Sequence, residues 1–172
     1  MKRYLVSIDP GTTESGVCIL DTEDFRPLAF AKIPNENIPF WIIQNNPEKG
    51  CFIRFEAVIE RMYNPKSASS HVFLACEWIG RFDVELHNLG ITSRSFIMRW
   101  EEYRHLCGKE YAHNDKGVRN ALADRFAYGQ RNYGKGTVRE PGWFHGFSND
   151  IWQAYAIGVA FIEKMKDEKS ER

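Results

Sequence analysis

Ile8-Asp9-Pro10-Gly11-Thr12-Thr13 is the stretch of sequence that decides how this chain is interpreted. It closes the apolar run 4–8, a pattern that predicts a buried strand ending in a turn. Such a turn holds the Asp9 carboxylate at the edge of a sheet, where a metal ion or a phosphate group can approach. Gly11 lets the backbone come close to that ligand, and the two threonines add hydroxyl and amide groups. Taken alone, the stretch is equally typical of a simple hairpin turn.

Further apolar runs follow this first strand along the chain. Short strands are predicted at residues 4–8, 16–20, 27–33, 52–59 and 95–98. The first three are separated by too few residues for a crossover helix, so we expect them to form an antiparallel meander. Helices are predicted at residues 37–46, 67–90 and 114–126 and from Ser148 onward, with a glycine-rich loop at 128–143. These elements describe a mixed α/β domain and not a doubly wound parallel sheet.

Composition places the chain among ordinary globular proteins. Its 172 residues include 23 basic and 23 acidic side chains, so the formal net charge is zero. This balance argues mildly against nucleic acid as a partner, unless the charges are segregated between faces. The length fits one domain, which we predict at residues 1–166, followed by a charged, frayed tail at 167–172. The N-terminal apolar run is too short for a signal peptide, and no stretch is long enough to cross a bilayer, so we predict a cytoplasmic protein.

Two more acids repeat or complement the arrangement at Asp9. Glu60 ends the predicted strand 52–59, so its carboxylate meets that of Asp9 if the two strands are neighbours. Two acids brought together in this way repel each other unless a divalent cation neutralises them. Asp150 and Gln153 stand three residues apart at the start of the last helix, and therefore on one face. Each acid is also compatible with a solvated position at the end of a strand or the start of a helix.

The ordered set of these motifs resembles the RuvC family of Holliday junction resolvases. The run 8–17 looks like the family's opening strand and turn, and Val58-Ile59-Glu60 looks like its second acidic strand end. Asp150-Ile151-Trp152-Gln153-Ala154-Tyr155-Ala156-Ile157 resembles its terminal acidic helix. The likeness is spread over nearly the whole chain. It departs from the family at Gln153, where an acid is usual, while Asp150 sits one helical turn earlier.

The resemblance implies a ribonuclease H-like fold with a mixed five-stranded sheet, three antiparallel strands followed by two parallel ones, flanked by helices. It implies a metal-dependent endonuclease that cleaves branched DNA, above all Holliday junctions, by two-metal hydrolysis. Asp9, Glu60 and Asp150 would be the catalytic residues. These acids and Gln153 would hold two Mg²⁺ or Mn²⁺ ions per site, because oxygen ligands favour such hard cations.

The resemblance also implies how DNA would be held. Tyr63 falls where the resolvases place an aromatic side chain near the junction centre, and it would stack on a base. Contacts to phosphate are predicted for Arg61, Lys66, Arg81, Arg99, Lys116 and Arg119. A symmetric four-way junction is best met by a two-fold homodimer, with the long helix as the interface. The compact size and the altered last helix favour a phage or mobile-element member of the family.

Two other functions fit parts of the sequence. Asp9-Pro10-Gly11-Thr12-Thr13 also resembles the first phosphate loop of ASKHA-type ATP-binding phosphotransferases, which clasp ATP between two related domains. A chain of 172 residues has room for only one such domain. The neutral Gln153 raises a second alternative, a catalytically impaired ribonuclease H-like module that binds nucleic acid. The sequence leaves open whether the substrate is a four-way junction, a branched replication intermediate or an RNA–DNA hybrid.

Overall fold

Five strands form one mixed sheet in the computed structural model, which describes residues 3–52, 54–62 and 69–170. The strands are β1 (Tyr4–Asp9), β2 (Glu14–Asp21), β3 (Pro27–Pro34), β4 (Phe55–Arg61) and β5 (Ser93–Met98). Their order across the sheet is β3-β2-β1-β4-β5. The first three pair antiparallel, and β4 and β5 continue the sheet parallel to β1. The predicted ribonuclease H-like sheet is therefore confirmed.

In the described part of the chain, five α-helices flank this sheet. They are α1 (Ile38–Gln44), α2 (Ser70–Asn88), α3 (Arg99–Cys107), α4 (Asp115–Phe126) and α5 (Asn149–Ser170). The sequence patterns missed α3 as a separate element. The last helix continues through Ser170, into the segment for which a frayed tail was predicted. Within the described ranges, none of the helices is both long and apolar enough to cross a membrane.

The two faces of the sheet carry two separate hydrophobic clusters, because successive side chains of a strand point to opposite faces. On one face, Leu5 of β1 lies in a cluster with residues of α4 and α5. On the other face, Val6 and Ile8 lie in a cluster with residues of α1 and α2, among them Phe82. Strands β2, β1 and β4 are thus covered on both sides, and their ends remain available for a site.

Two glycines allow α5 to lie directly on the sheet. A Cβ atom at Gly16 would stand 2.3 Å from the carbonyl oxygen of Asp150, and one at Gly158 would stand 2.7 Å from a methyl carbon of Leu20. Gly16 is the residue of β2 that pairs with Asp9. This close approach therefore places the start of α5 beside the end of β1.

The glycine-rich segment 128–143 lies between α4 and α5 and is irregular, as predicted. It contains a 3₁₀ turn at Asn132–Gly134 and an isolated antiparallel bridge between Gly136 and Pro141. The ring of Tyr133 contacts that of Trp152, with the ring centroids 6.3 Å apart. The segment is thus attached to the first turn of α5.

Candidate active site

Asp9 and Glu60 lie side by side at one end of the sheet. Strands β1 and β4 are parallel neighbours with Ile8 opposite Ile59, so the next residue on each strand is one of the two acids. Both side chains are buried, since Asp9 is 9% and Glu60 2% exposed. The sequence placed each acid at the end of an apolar strand, and parallel pairing brings those ends to the same edge.

A guanidinium group bridges the two acids. Arg99 Nε donates to Glu60 Oε1 at 2.7 Å, and its Nη2 donates to Glu60 Oε2 at 2.8 Å and to Asp9 Oδ1 at 3.1 Å. Arg99 is the first residue of α3, directly after β5, and β5 is the parallel neighbour of β4. The sequence predicted a phosphate contact for this arginine, whereas in the structure it is bonded to the carboxylates.

Burial makes it energetically unfavourable for both of these acids to be ionised. It raises the pKa of Asp9 well above its usual range, and the neighbouring Glu60 raises it further by its charge and by a shared hydrogen bond. Arg99 opposes this shift, and the pKa of its own guanidinium is raised by its bonds to Glu60 against the effect of burial. A cation between the acids is what allows both to carry charge in a buried position.

Asp150, at the start of α5, lies near the two acids, and its carboxylate is directed towards β3. Lys32 Nζ lies 2.8 Å from Asp150 Oδ2 and 3.7 Å from Glu14 Oε2. The Asp150 side chain is 37% exposed, yet its charge contributes to raising the pKa of Asp9. Asp150 is therefore within electrostatic range of the acid pair, but its nearest cation is a lysine that the sequence did not indicate.

Gln153 follows Asp150 by one helical turn and is 4% exposed. Neither its amide nitrogen nor its amide oxygen has a hydrogen-bond partner in the part of the chain that the structure describes. Buried side-chain amides are normally satisfied, so a free amide oxygen here marks a position that can accept a ligand.

The structure adds Glu102 to the acids near this site. This residue of α3 is fully buried, and among the described residues neither carboxylate oxygen has a hydrogen-bond partner. Burial raises the pKa of Glu102 well above its usual range, Glu60 adds to the shift, and Arg99 opposes it. Sequence reasoning missed Glu102. The signal that could have indicated α3, and with it Glu102, is the neighbouring Glu101, whose side-chain oxygen accepts a hydrogen bond from the Met98 backbone N–H at the start of this helix.

The acids do not form a ready metal site as they stand. In residues 3–52, 54–62 and 69–170, no three His, Cys, Asp or Glu side chains are grouped closely enough to hold a metal ion. The donor chemistry nevertheless fits a hard divalent cation: two adjacent buried carboxylates, a third within electrostatic range and an unpartnered amide oxygen. Arg99 now supplies the positive charge that such an ion would bring.

The predicted DNA contacts are spread around and beyond this site. Arg61 is exposed directly after Glu60, and Lys116 is exposed in the first turn of α4. Arg119 Nη2 donates to Asn149 Oδ1 at 3.0 Å, next to Asp150. Arg81 lies on α2 with its guanidinium over the Trp78 ring, 4.7 Å from the centroid. Tyr63 and Lys66 lie outside the described residues.

Comparison with known proteins places the fold. The sequence matches no protein-family model, and no curated protein matches it. The RuvC structure of Thermus thermophilus matches with a TM-score of 0.64 and 15% identity, over 95% of this chain and 96% of that chain. RuvC of T. thermophilus in complex with a Holliday junction substrate matches with a TM-score of 0.64 and 13% identity, over the same shares of the two chains.

A viral structure matches as well. The fowlpox virus Holliday junction resolvase gives a TM-score of 0.51 and 12% identity, over 94% of this chain and 99% of that chain. Likeness at such low identity concerns the fold. The chain thus has the ribonuclease H-like fold of these resolvases over nearly its whole length, and the resemblance seen in the sequence is confirmed at that level.

Proposed function

We propose that this chain is a metal-dependent endonuclease that cleaves branched DNA, with the Holliday junction as its preferred substrate. The observation that carries the proposal is the buried pair of Asp9 and Glu60 at the ends of neighbouring parallel strands. Asp150, at the start of a helix packed on Gly16, supplies the third acid. The fold is shared with a RuvC structure that was solved with a Holliday junction substrate, which supports the choice of substrate.

The residues that would hold the metal are Asp9, Glu60, Asp150 and Gln153. Mg²⁺ or Mn²⁺ bound there would supply an activated water and neutralise charge at the scissile phosphate. The protein's own contribution is to fix two of these acids on rigid strands, so that their oxygens converge without reorganisation. Burial of Asp9 and Glu60 keeps water away from those oxygens and strengthens their attraction for a cation.

DNA would approach this site between two cationic side chains. Arg61 follows Glu60 directly, and Arg119 is held next to Asp150 by its bond to Asn149. Phosphate contacts from these positions would fix the strand relative to the acids without reading its sequence. Lys116, Tyr63 and Lys66 complete the proposed DNA contacts. Arg81 lines the groove formed by α1 and α2, so it would lie in an interface between two copies of the chain and not on DNA.

A homodimer would present two such sites to the two-fold symmetric junction. A groove of about 830 Å³ lies at α1 and α2. Its lining combines apolar side chains, among them Phe40, Trp78 and Val84, with the charged side chains of Glu36, Glu77, Arg81 and Glu85. Exposed apolar side chains extend this surface: Phe40, Ile43, Phe73, Leu74 and Val84. Contiguous apolar surface on a globular protein is typical of an interface, so we propose that a second copy packs here.

A second candidate function is a ribonuclease H-like module that binds branched nucleic acid without cleaving it. It is favoured by the neutral Gln153 and by the ion pair that turns Asp150 towards Lys32. The ASKHA-type phosphotransferase has no comparable support, because the described part of the chain contains one such sheet and the ATPases use two.

A panel of labelled substrates separates these functions. We expect a synthetic four-way junction to be cut in Mg²⁺ or Mn²⁺ and to stay intact in a chelator, with a fork, an RNA–DNA hybrid and a linear duplex cut more slowly. Glu60→Gln should bind the junction and leave it uncut. Binding without cleavage by the unaltered protein would establish the binding module. Preferred cleavage of the hybrid would contradict the proposed substrate.

The DNA contacts have their own test. Arg61→Ala and Arg119→Ala should each weaken junction binding. Each should also reduce the magnitude of the slope of log affinity against log salt concentration by about one, because one phosphate contact is lost. Arg3→Ala is the matched control, since Arg3 pairs with Glu56 at 3.4 Å near the opposite end of β1. Equal losses for all three variants would contradict the proposed approach of DNA.

A further inference from the structure

Arg99 takes the place of a cation between the two strand-end acids. Two of its nitrogens reach both oxygens of Glu60, and one of these also reaches Asp9. A guanidinium carries one positive charge, so it balances one of the two carboxylates when both are ionised, while burial and Glu60 favour a proton on Asp9. A divalent cation carries enough charge to balance both carboxylates at once.

Glu102 lies one turn further along α3, on the same helix face as Arg99. Its carboxylate is buried, and within the described ranges both oxygens lack a hydrogen-bond partner. A buried carboxylate in this condition is costly, because it has lost water and gained nothing in return. Such a group is explained if it acquires its partner in a second arrangement of the same helix.

The surroundings give Arg99 room to move. A hollow of about 340 Å³ lies beside it, lined by Glu60, Arg61, Met62, Arg99, Trp100 and Tyr103. The Arg99 side chain is 38% exposed and lines this hollow, so its guanidinium has free space on one side. Residues three apart on a helix are neighbours, which puts the Glu102 carboxylate within reach of a long side chain at position 99.

We infer that Arg99 is the internal counter-ion of the metal-free site, and that it transfers from Asp9 and Glu60 to Glu102 when a divalent cation binds. The inference rests on the proposed metal-binding role of Asp9 and Glu60, but not on cleavage of DNA. Retention of the guanidinium between the acids would repel the incoming ion at short range. Transfer to Glu102 removes that repulsion and gives the buried carboxylate a partner.

Two substitutions have opposite expected effects on metal affinity. Arg99→Gln removes the competitor, so Mn²⁺ should bind about tenfold more tightly. Glu102→Gln removes the acid that would ionise and pair with Arg99 after the transfer, so Mn²⁺ should bind more weakly by a similar factor, about tenfold. Arg104→Gln, an exposed arginine on the same helix, is the matched control and should leave the affinity unchanged.

The measurement is titration calorimetry of the whole chain with Mn²⁺, without DNA, supported by melting temperatures in a chelator. In the chelator, Arg99→Gln should melt lower than the unaltered protein because the acids repel, and Glu102→Gln should melt higher. If Arg99→Gln fails to fold, Arg99→Lys replaces it. A lysine keeps the charge but loses the two-pronged contact, so its Mn²⁺ affinity should exceed that of the unaltered protein.

Equal or weaker Mn²⁺ binding by Arg99→Gln or Arg99→Lys would overturn the inference, because Arg99 would then support the metal or have a purely structural role. Unchanged binding by Glu102→Gln would overturn the transfer to that residue. Absence of Mn²⁺ binding by every variant would overturn it as well. If the variants show the predicted order of Mn²⁺ affinities but the protein cuts no DNA, the transfer of Arg99 is supported and only the proposed nuclease function is contradicted.

Discussion

Lys32 Nζ lies 2.8 Å from Asp150 Oδ2, and this ion pair joins β3 to the start of α5. It also neutralises the acid that would complete the site around Asp9 and Glu60. The bond to Asp150 raises the pKa of Lys32, so the lysine stays charged and the pair persists at neutral pH. Lys32 therefore competes with the site around Asp9 and Glu60 for the Asp150 carboxylate.

Lys32→Met should make Asp150 easier to recruit to a metal. We expect the Mg²⁺ concentration for half-maximal junction cleavage to fall by a few fold. Both partners are substantially exposed, so the free energy of unfolding should change by less than about 1 kcal/mol. Lys164→Met is the control, because Lys164 pairs with Glu101 at 3.5 Å on another part of the surface. A midpoint for Mg²⁺ that is unchanged or higher would show that Lys32 does not restrain Asp150.

Asp9→Asn should separate stability from activity. Burial and Glu60 raise the pKa of Asp9, so its ionised form destabilises the metal-free fold at every pH above its ordinary value of 3.8. The neutral amide removes that cost, and the melting temperature in a chelator should rise. Junction cleavage should fall about 100-fold or more, because a proposed metal ligand is lost.

Asp167→Asn, at an exposed position, serves as the control for Asp9→Asn and should alter neither the melting temperature in a chelator nor junction cleavage. A lower melting temperature for Asp9→Asn would contradict the proposed repulsion between the two buried acids. Undiminished cleavage by the same variant would contradict the proposed role of Asp9.

Gly16→Ala should disturb the contact between α5 and the sheet. The added Cβ would stand 2.3 Å from the carbonyl oxygen of Asp150, which is backbone and must shift. We expect a loss of about 1–3 kcal/mol in the free energy of unfolding, measured with urea. Gly80→Ala in α2, measured on the monomer because Gly80 lines the proposed dimer groove, is the matched control with the opposite sign. It has nothing within 4 Å of its added Cβ, and it should gain up to about 1 kcal/mol from helix propensity. Equal effects of the two changes would refute the close approach at Gly16.

Glu163 should make stability depend on pH. Burial alone would raise its pKa, but the bond with His105 at 2.8 Å and the bonds from Arg125, the shortest 2.6 Å, outweigh burial and lower it. An acid with a lowered pKa contributes its stability above its ordinary value, 4.5, and loses it as the pH falls through the folded value. Glu163→Gln should therefore be less stable than the unaltered protein at pH 7, by about 1 kcal/mol, with the gap closing in acid. Urea unfolding at several pH values measures this difference in the free energy of unfolding. A difference that is constant with pH would contradict the proposed role of Glu163.

The part of the fold that the sequence predicts best is the part in which local pattern and burial agree. Strands β1 and β4 are short apolar runs closed by an acid, so both the strands and the positions of Asp9 and Glu60 follow from the pattern. Helix α3 was missed because its nine residues present a weak apolar face and follow β5 without a turn signal.

The counter-ions of the site could not be predicted in the same way. Arg99 is 90 residues from Asp9 and 39 from Glu60 along the chain, and its pairing depends on the position of β5 beside β4. Lys32 could not be predicted for a similar reason, because it reaches Asp150 only where α5 packs across β2 and β3. Sequence patterns identify acids that end strands, whereas the cations that neutralise them are chosen by tertiary structure.

The most direct test of the central claim is the anomalous scattering of a crystal grown with Mn²⁺. We predict a peak within coordinating distance of carboxylate oxygens from both Asp9 and Glu60. A crystal of Glu60→Gln grown with the same Mn²⁺ concentration, which lacks one ligand charge, provides the comparison. A well-ordered Mn²⁺ crystal with no peak between Asp9 and Glu60 would contradict the proposal that this pair is the metal-binding centre of a nuclease.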